Sequence, residues 1–145
     1  MNKKCIMIAC AFFVAVALQA KVSLPAFFSD GMVMQQQSQA SLWGKASKGK
    51  IVEVTTGWDG QTYTTRADEQ GKWKLTVQTP AAGGPYDITF DDGERTRIKD
   101  ILMGELWICS GQSNMEMPMK GFKNQPVEDA NMDVLRSRNS QIRLF

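Results

Sequence analysis

From Lys21 to about Asp100 the chain alternates apolar and polar residues over short runs broken by glycine and aspartate, the pattern of half-buried strands joined by tight turns. In Lys72–Gln78, Trp73, Leu75 and Val77 share one face, and Lys72, Lys74 and Thr76 share the other. Tyr86, Ile88 and Phe90 repeat the pattern against Asp87, Thr89 and Asp91. Ser47-Lys48-Gly49, Trp58-Asp59-Gly60, Gln70-Gly71 and Asp92-Gly93 mark the turns. Strands with one wet face need a second layer over the other, and the economical solution is a β-sandwich of about seven short strands. Trp43, Trp58 and Trp73 could stack on sugar rings, but structural roles are the better reading: Trp73 is expected in the core, and Trp58, beside a hairpin turn, could serve either.

Past Asp100 the pattern changes. Leu106-Trp107-Ile108-Cys109 is continuously apolar and predicts a parallel strand buried on both faces, with Cys109 a small buried hydrophobe. Pro126 to about Ser137 predicts a helix, with Glu128 and Asp129 in its first turn, Arg136 and Arg138 near its end, and Asn139 as its stop. Gln141–Phe145 predicts a second strand. These are the opening elements of a βαβ crossover, too few to cover both faces of a parallel sheet, so this region is expected to be an incomplete α/β domain.

The first twenty residues change the charge picture. Lys3 and Lys4, an apolar run from Cys5 to Leu18 and small residues ending at Ala20 follow the order of a secretory signal peptide. Export to the periplasm or the extracellular space is expected, with no membrane anchor after cleavage, because the run is shorter than the ~20 apolar residues of a spanning helix. Removing Lys3 and Lys4 from the 17 basic residues leaves as many basic as acidic residues, 15 of each. No overall basic charge then argues for nucleic acid as a partner. Cys5 and Cys10 leave with the same segment, so no intramolecular disulfide is possible. With no histidine in the chain, a Cys/His metal site is excluded and no metal or other cofactor is expected.

The residues that carry candidate chemistry are Ser110-Gly111-Gln112-Ser113-Asn114-Met115, directly after the apolar run. A serine where a buried strand gives way to a turn projects its hydroxyl from the sheet edge, with backbone N–H groups nearby that can stabilise an oxyanion. Gly111 permits the sharp bend, and Gln112 and Asn114 are candidates for supporting the turn. Met115, Met117 and Met119 could line an apolar wall or simply fill loop gaps. No spacing among Asp30, Asp59 and Glu116 supports a pair of glycosidase carboxylates.

This block resembles the first motif of the SGNH (GDSL-like) hydrolases, in the form found in sialate O-acetylesterases and related carbohydrate esterases. The resemblance extends to Leu24–Gln36, Leu42–Ala46 and Gly83–Tyr86 upstream, and to Gln141–Phe145 downstream. It implies a mainly β chain: a β-sandwich over 21–100 after a signal peptide at 1–20, then over 101–145 the first β-α-β elements of a truncated SGNH-type α/β hydrolase domain. It also implies that Ser113 is the nucleophile, that O-acetylated sialic acid or another acetylated glycan is the substrate, and that the Asp-x-x-His base and further oxyanion donors belong beyond Phe145. With no histidine to take the serine proton, the chain alone is expected to be inactive. The competing reading is a secreted, non-catalytic β-sandwich that binds carbohydrate or mediates adhesion, which leaves Trp107–Pro118 without a purpose.

Overall fold

The computed structural model describes residues 21–144, so the expected signal peptide and Phe145 lie outside the described residues. Seven strands follow in order: β1 (Val33–Gln35), β2 (Gln39–Lys45), β3 (Ile51–Thr56), β4 (Thr62–Arg66), β5 (Lys72–Gln78), β6 (Gly83–Asp91) and β7 (Arg95–Gly104). They form a five-stranded sheet in the order β1-β7-β6-β3-β4 and a two-stranded sheet of β2 and β5. All pairs are antiparallel except β1 with β7, whose parallel register sets Val33 beside Leu102.

The alternation along each strand decides which side chains fill the space between the sheets. Leu42, Trp73 and Val77 of the small sheet are buried with Val52, Val54, Ile88, Phe90, Ile98 and Ile101 of the large one. Trp73 and Phe90, from opposite sheets, bring their ring centroids to 5.9 Å. The Trp73 Nε1–H is buried without a hydrogen-bond partner among the described residues. That costs about 1–3 kcal/mol, whereas burying the ~150–250 Å² of an indole at ~25 cal/mol per Å² contributes roughly 4–6 kcal/mol, so packing wins.

The turns behave as their residues dictate. Gly49, Gly60, Gly71 and Gly93 all have positive φ, a conformation that costs glycine nothing. Gly44 answers a different constraint: a Cβ there would lie 2.5 Å from the Ser23 carbonyl oxygen, where the N-terminal segment bridges to Lys45. At the crossing of the β1–β2 and β5–β6 connections, buried Thr79 accepts the Ser38 N–H at 2.9 Å and donates to the Gln35 carbonyl at 2.7 Å. One hydroxyl thereby satisfies backbone groups from the turn beside the site.

Beyond β7, which carries the sheet to Gly104, the structure departs from the expected βαβ start. Leu106–Cys109 is not a strand, and Trp107 and Ile108 are 81% and 90% exposed. Cys109 is likewise exposed, not a buried hydrophobe. A parallel strand buried on both faces needs a pairing neighbour and cover on both faces, and among the described residues no strand pairs with Leu106–Cys109 and its side chains are exposed. The expected helix shortens to α2 (Ala130–Arg136), because Asp129 adopts φ +53° and interrupts the first turn. Gln141–Leu144 is irregular rather than a strand.

Replacing Phe90 by alanine, at the centre of the interface between the sheets, is expected to destabilise the fold by about 3–5 kcal/mol, read from the midpoint of urea unfolding.

Candidate active site

The segment carrying Ser113 leaves the sheet at the end of β7, and a small polar network fixes its departure. The Gln35 side-chain amide donates to one Glu105 carboxylate oxygen at 2.9 Å, and that of Gln36 donates to the other at 2.7 Å. The two glutamines face backward as well: the Gln35 Oε1 accepts the Leu106 N–H at 2.9 Å, and the Gln36 Oε1 accepts the Ala82 N–H at 2.8 Å. The end of β1, the start of β6 and the root of the serine segment are thereby tied together. Donation from Gln35, then from Gln36, holds the Glu105 carboxyl below the usual carboxylate range, against a smaller opposing desolvation.

A second tie comes from the far end. The Arg143 guanidinium donates to the Gly31 carbonyl at 2.8 Å, to the Asp100 carbonyl, and to the Asp100 carboxylate at 3.0 Å. Its side chain is only 19% exposed, so this ion pair is better shielded than the other ion pairs among the described residues. Between the two ties lies an apolar groove of about 1150 Å³, lined by Val33, Leu102, Trp107, Ile142 and Leu144 among others.

Past the groove, the Met115 side chain lies over Gly111, where a Cβ would come within 2.7 Å of the Met115 Cγ; the bend expected at Gly111 falls instead on Gln112, and Gly111 is not among the glycines with positive φ. Gln112 then opens the short helix α1 (Ser113–Glu116), its carbonyl accepting the Met115 N–H at 2.9 Å, while the Ser113 carbonyl accepts the Met117 N–H at 3.1 Å. Gly111, Gln112, Ser113 and Asn114 are all exposed, and Gln112 makes no side-chain capping bond. Among the described residues, no hydrogen bond engages the Ser113 hydroxyl, and no group of carboxylates and cysteines could hold a metal ion. Among the described residues, Ser113 thus stands exposed at a helix start with no base hydrogen-bonded to its hydroxyl.

No family model matches the chain. Among curated proteins it is 30% identical to the sialate O-acetylesterase of Mus musculus over 112 residues, which is 70% of this chain and 21% of that protein. It is 29% identical to the Homo sapiens sialate O-acetylesterase over 121 residues, 77% of this chain and 23% of that protein. Among solved structures, a carbohydrate acetylesterase from Xanthomonas citri matches 83% of this chain and 26% of its own length, with a TM-score of 0.73 and 32% identity. The chain thus spans less than a quarter of the length of these curated relatives. Over that span the fold is one used by a carbohydrate esterase. The chain belongs to the sialate O-acetylesterase-like family.

Neither tie was visible as a motif. Gln35 and Gln36 stand in the stretch that carries the resemblance, but no periodicity separates a clamping glutamine from a solvated one. Glu105 should also make the departure of this segment acid-sensitive. Because its folded pKa is lowered from the ordinary 4.5, its contribution is complete above that value and is lost as pH falls through the folded value. Hydrogen exchange at the Leu106 N–H, corrected for intrinsic rate, is expected to accelerate in that acid range, and Glu105→Ala is expected to remove the acid step.

Proposed function

We propose that Ser113 is the nucleophile of an exported serine esterase that removes O-acetyl groups from sialic acid or a related glycan. The observation that carries this reading is the presentation of Ser113: an exposed residue opening α1 directly after the Gln112 bend, on a segment whose root is fixed to the sheet through Glu105. The names of its relatives support an acetylated carbohydrate as the substrate. In this reading the hydroxyl oxygen attacks the acetyl carbonyl, the sugar leaves with a proton, and water releases acetate from the acyl-enzyme. The Ser113 N–H and its neighbours would face the developing oxyanion, with Gly111, Gln112 and Asn114 shaping the turn.

A serine at its ordinary pKa is a poor nucleophile, and the chain contains no histidine to take its proton. General-base catalysis contributes roughly 10²–10⁴-fold, and loss of one oxyanion donor costs about 10²–10³ in rate. This chain is therefore expected to hydrolyse an acetyl ester at close to the uncatalysed rate. A longer polypeptide that adds an Asp-x-x-His segment is expected to turn it over, and Ser113→Ala in that polypeptide should lower kcat by about 10³-fold or more. Unchanged turnover in the alanine variant would remove Ser113 from the role of nucleophile.

Export is part of the same proposal. N-terminal sequencing of secreted material is expected to begin near Lys21; an intact Met1 in the soluble cytoplasm would contradict it.

A further inference from the structure

The outward face of the β2–β5 sheet carries an arrangement that neither the core nor the serine site uses. The pairing sets Trp43 opposite Lys74 and Lys45 opposite Lys72. Residues directly opposite, and residues two apart on one strand, project from the same face. One indole and three ammonium groups therefore share a single patch, and they line a cleft of about 860 Å³ together with Arg66, Asp68 and the N-terminal segment around Ser23 and Pro25, among others.

The patch carries excess positive charge. Among the described residues, Lys45, Lys72, Lys74 and Arg66 enter no ion pair. The carboxylate in this lining offsets one of the four positive charges, while the Asp68 Oδ1 accepts the backbone N–H groups of Gln70 and Lys72, both at 2.8 Å, and the Arg66 guanidinium also donates to the Gly49 carbonyl at 2.6 Å. Like charges directly opposite across a strand pair destabilise a sheet, so the Lys45–Lys72 pair is unfavourable until an anion sits between the two groups. The indole is positioned in advance. Trp43 packs against Phe27 and Phe28, with centroids at 5.2 and 4.9 Å, yet remains 40% exposed.

We propose that this face binds an acidic glycan, with Trp43 stacked on a sugar ring and Lys45, Lys72, Lys74 and Arg66 facing its carboxylate or sulfate groups. The scale fits: residues two apart on a strand are roughly 7 Å apart and adjacent strands about 5 Å apart, a footprint of one or two sugar rings. Single-stranded nucleic acid is the less favoured ligand, because it takes a succession of stacking aromatics along a basic groove, and here one indole stands on a chain whose charges balance from Lys21 onward. The proposal does not depend on Ser113.

Calorimetric titration of the chain with oligogalacturonate, dextran sulfate, neutral dextran and single-stranded DNA tests it. At least one of the two acidic glycans should bind, the tighter one identifying carboxylate or sulfate as the preferred anion, while neutral dextran gives no heat. The double variant Lys45→Gln with Lys72→Gln should weaken that binding at least tenfold with an equal or higher Tm, since it relieves a repulsion. Trp43→Ala should weaken it as much, with Trp43→Phe intermediate and its Tm showing that the aromatic cluster survives. The titration reads binding of glycans that carry no acetyl ester, without turnover, so failure of the esterase reading would leave this result intact. The proposal is overturned if neither acidic glycan binds, if dextran or DNA binds as tightly, or if the lysine variant binds unchanged.

Discussion

Burial of the apolar face of β2 and β5 is the constraint on which the rest depends. A two-stranded sheet is marginal in water on its own, and Leu42, Trp73 and Val77 are buried because the five-stranded sheet supplies Val52, Val54, Ile88 and Phe90 against them. That contact fixes the outward direction of every alternate residue on the same strands. Trp43, Lys45, Lys72 and Lys74 are gathered on the outer face because their neighbours are committed to the inner one. A register slip of one residue would bury the lysines and expose the core, so one packing requirement sets both the interior and the charged cleft.

The route to Ser113 follows from the opposite sheet. Strand β7 borders β1 and hands the chain directly to Glu105, where two adjacent glutamines from the end of β1 hold it. The carboxylate accepts from two neutral amides, and each amide passes its own oxygen to a backbone N–H, so the junction satisfies its polar groups without an opposite charge. Beyond it the chain stays extended with its largest apolar side chains in solvent. Precision is concentrated at the root of the segment rather than along it.

Legibility in the sequence tracked the range of the interaction concerned. The alternation in Lys72–Gln78 and Tyr86–Asp91, the positive-φ glycines at 49, 60, 71 and 93, and the burial of Trp73 all follow from neighbours within a few residues, and the structure has each of them. Leu106–Cys109 read as a buried strand because its composition is apolar, but a parallel strand is made by the strand that pairs with it, and among the described residues none does. The helix lost its first turn to the left-handed Asp129, a backbone choice that the favourable acidic charges at that end do not reveal. Ser113 could be singled out because chemistry and spacing are local. Arg143 and the Gln35–Gln36–Glu105 network could not, since each joins residues more than forty positions apart.

The Arg143 contact with Gly31 closes 112 residues of chain. The entropy of loop closure rises with the logarithm of loop length, and such non-local contacts form late unless the intervening chain is already compact. Contacts independent of Arg143 hold Gly31 and Asp100 in one place, since the Gly31 N–H donates to the Lys99 carbonyl and the Asp30 carboxylate accepts the Lys99 N–H. Arg143 thus finds a receptor that only the assembled sheets create. The docking point of Arg143 therefore exists only while β7 and the segment before β1 lie side by side, so the attachment of the C-terminal segment depends on the integrity of the β layers.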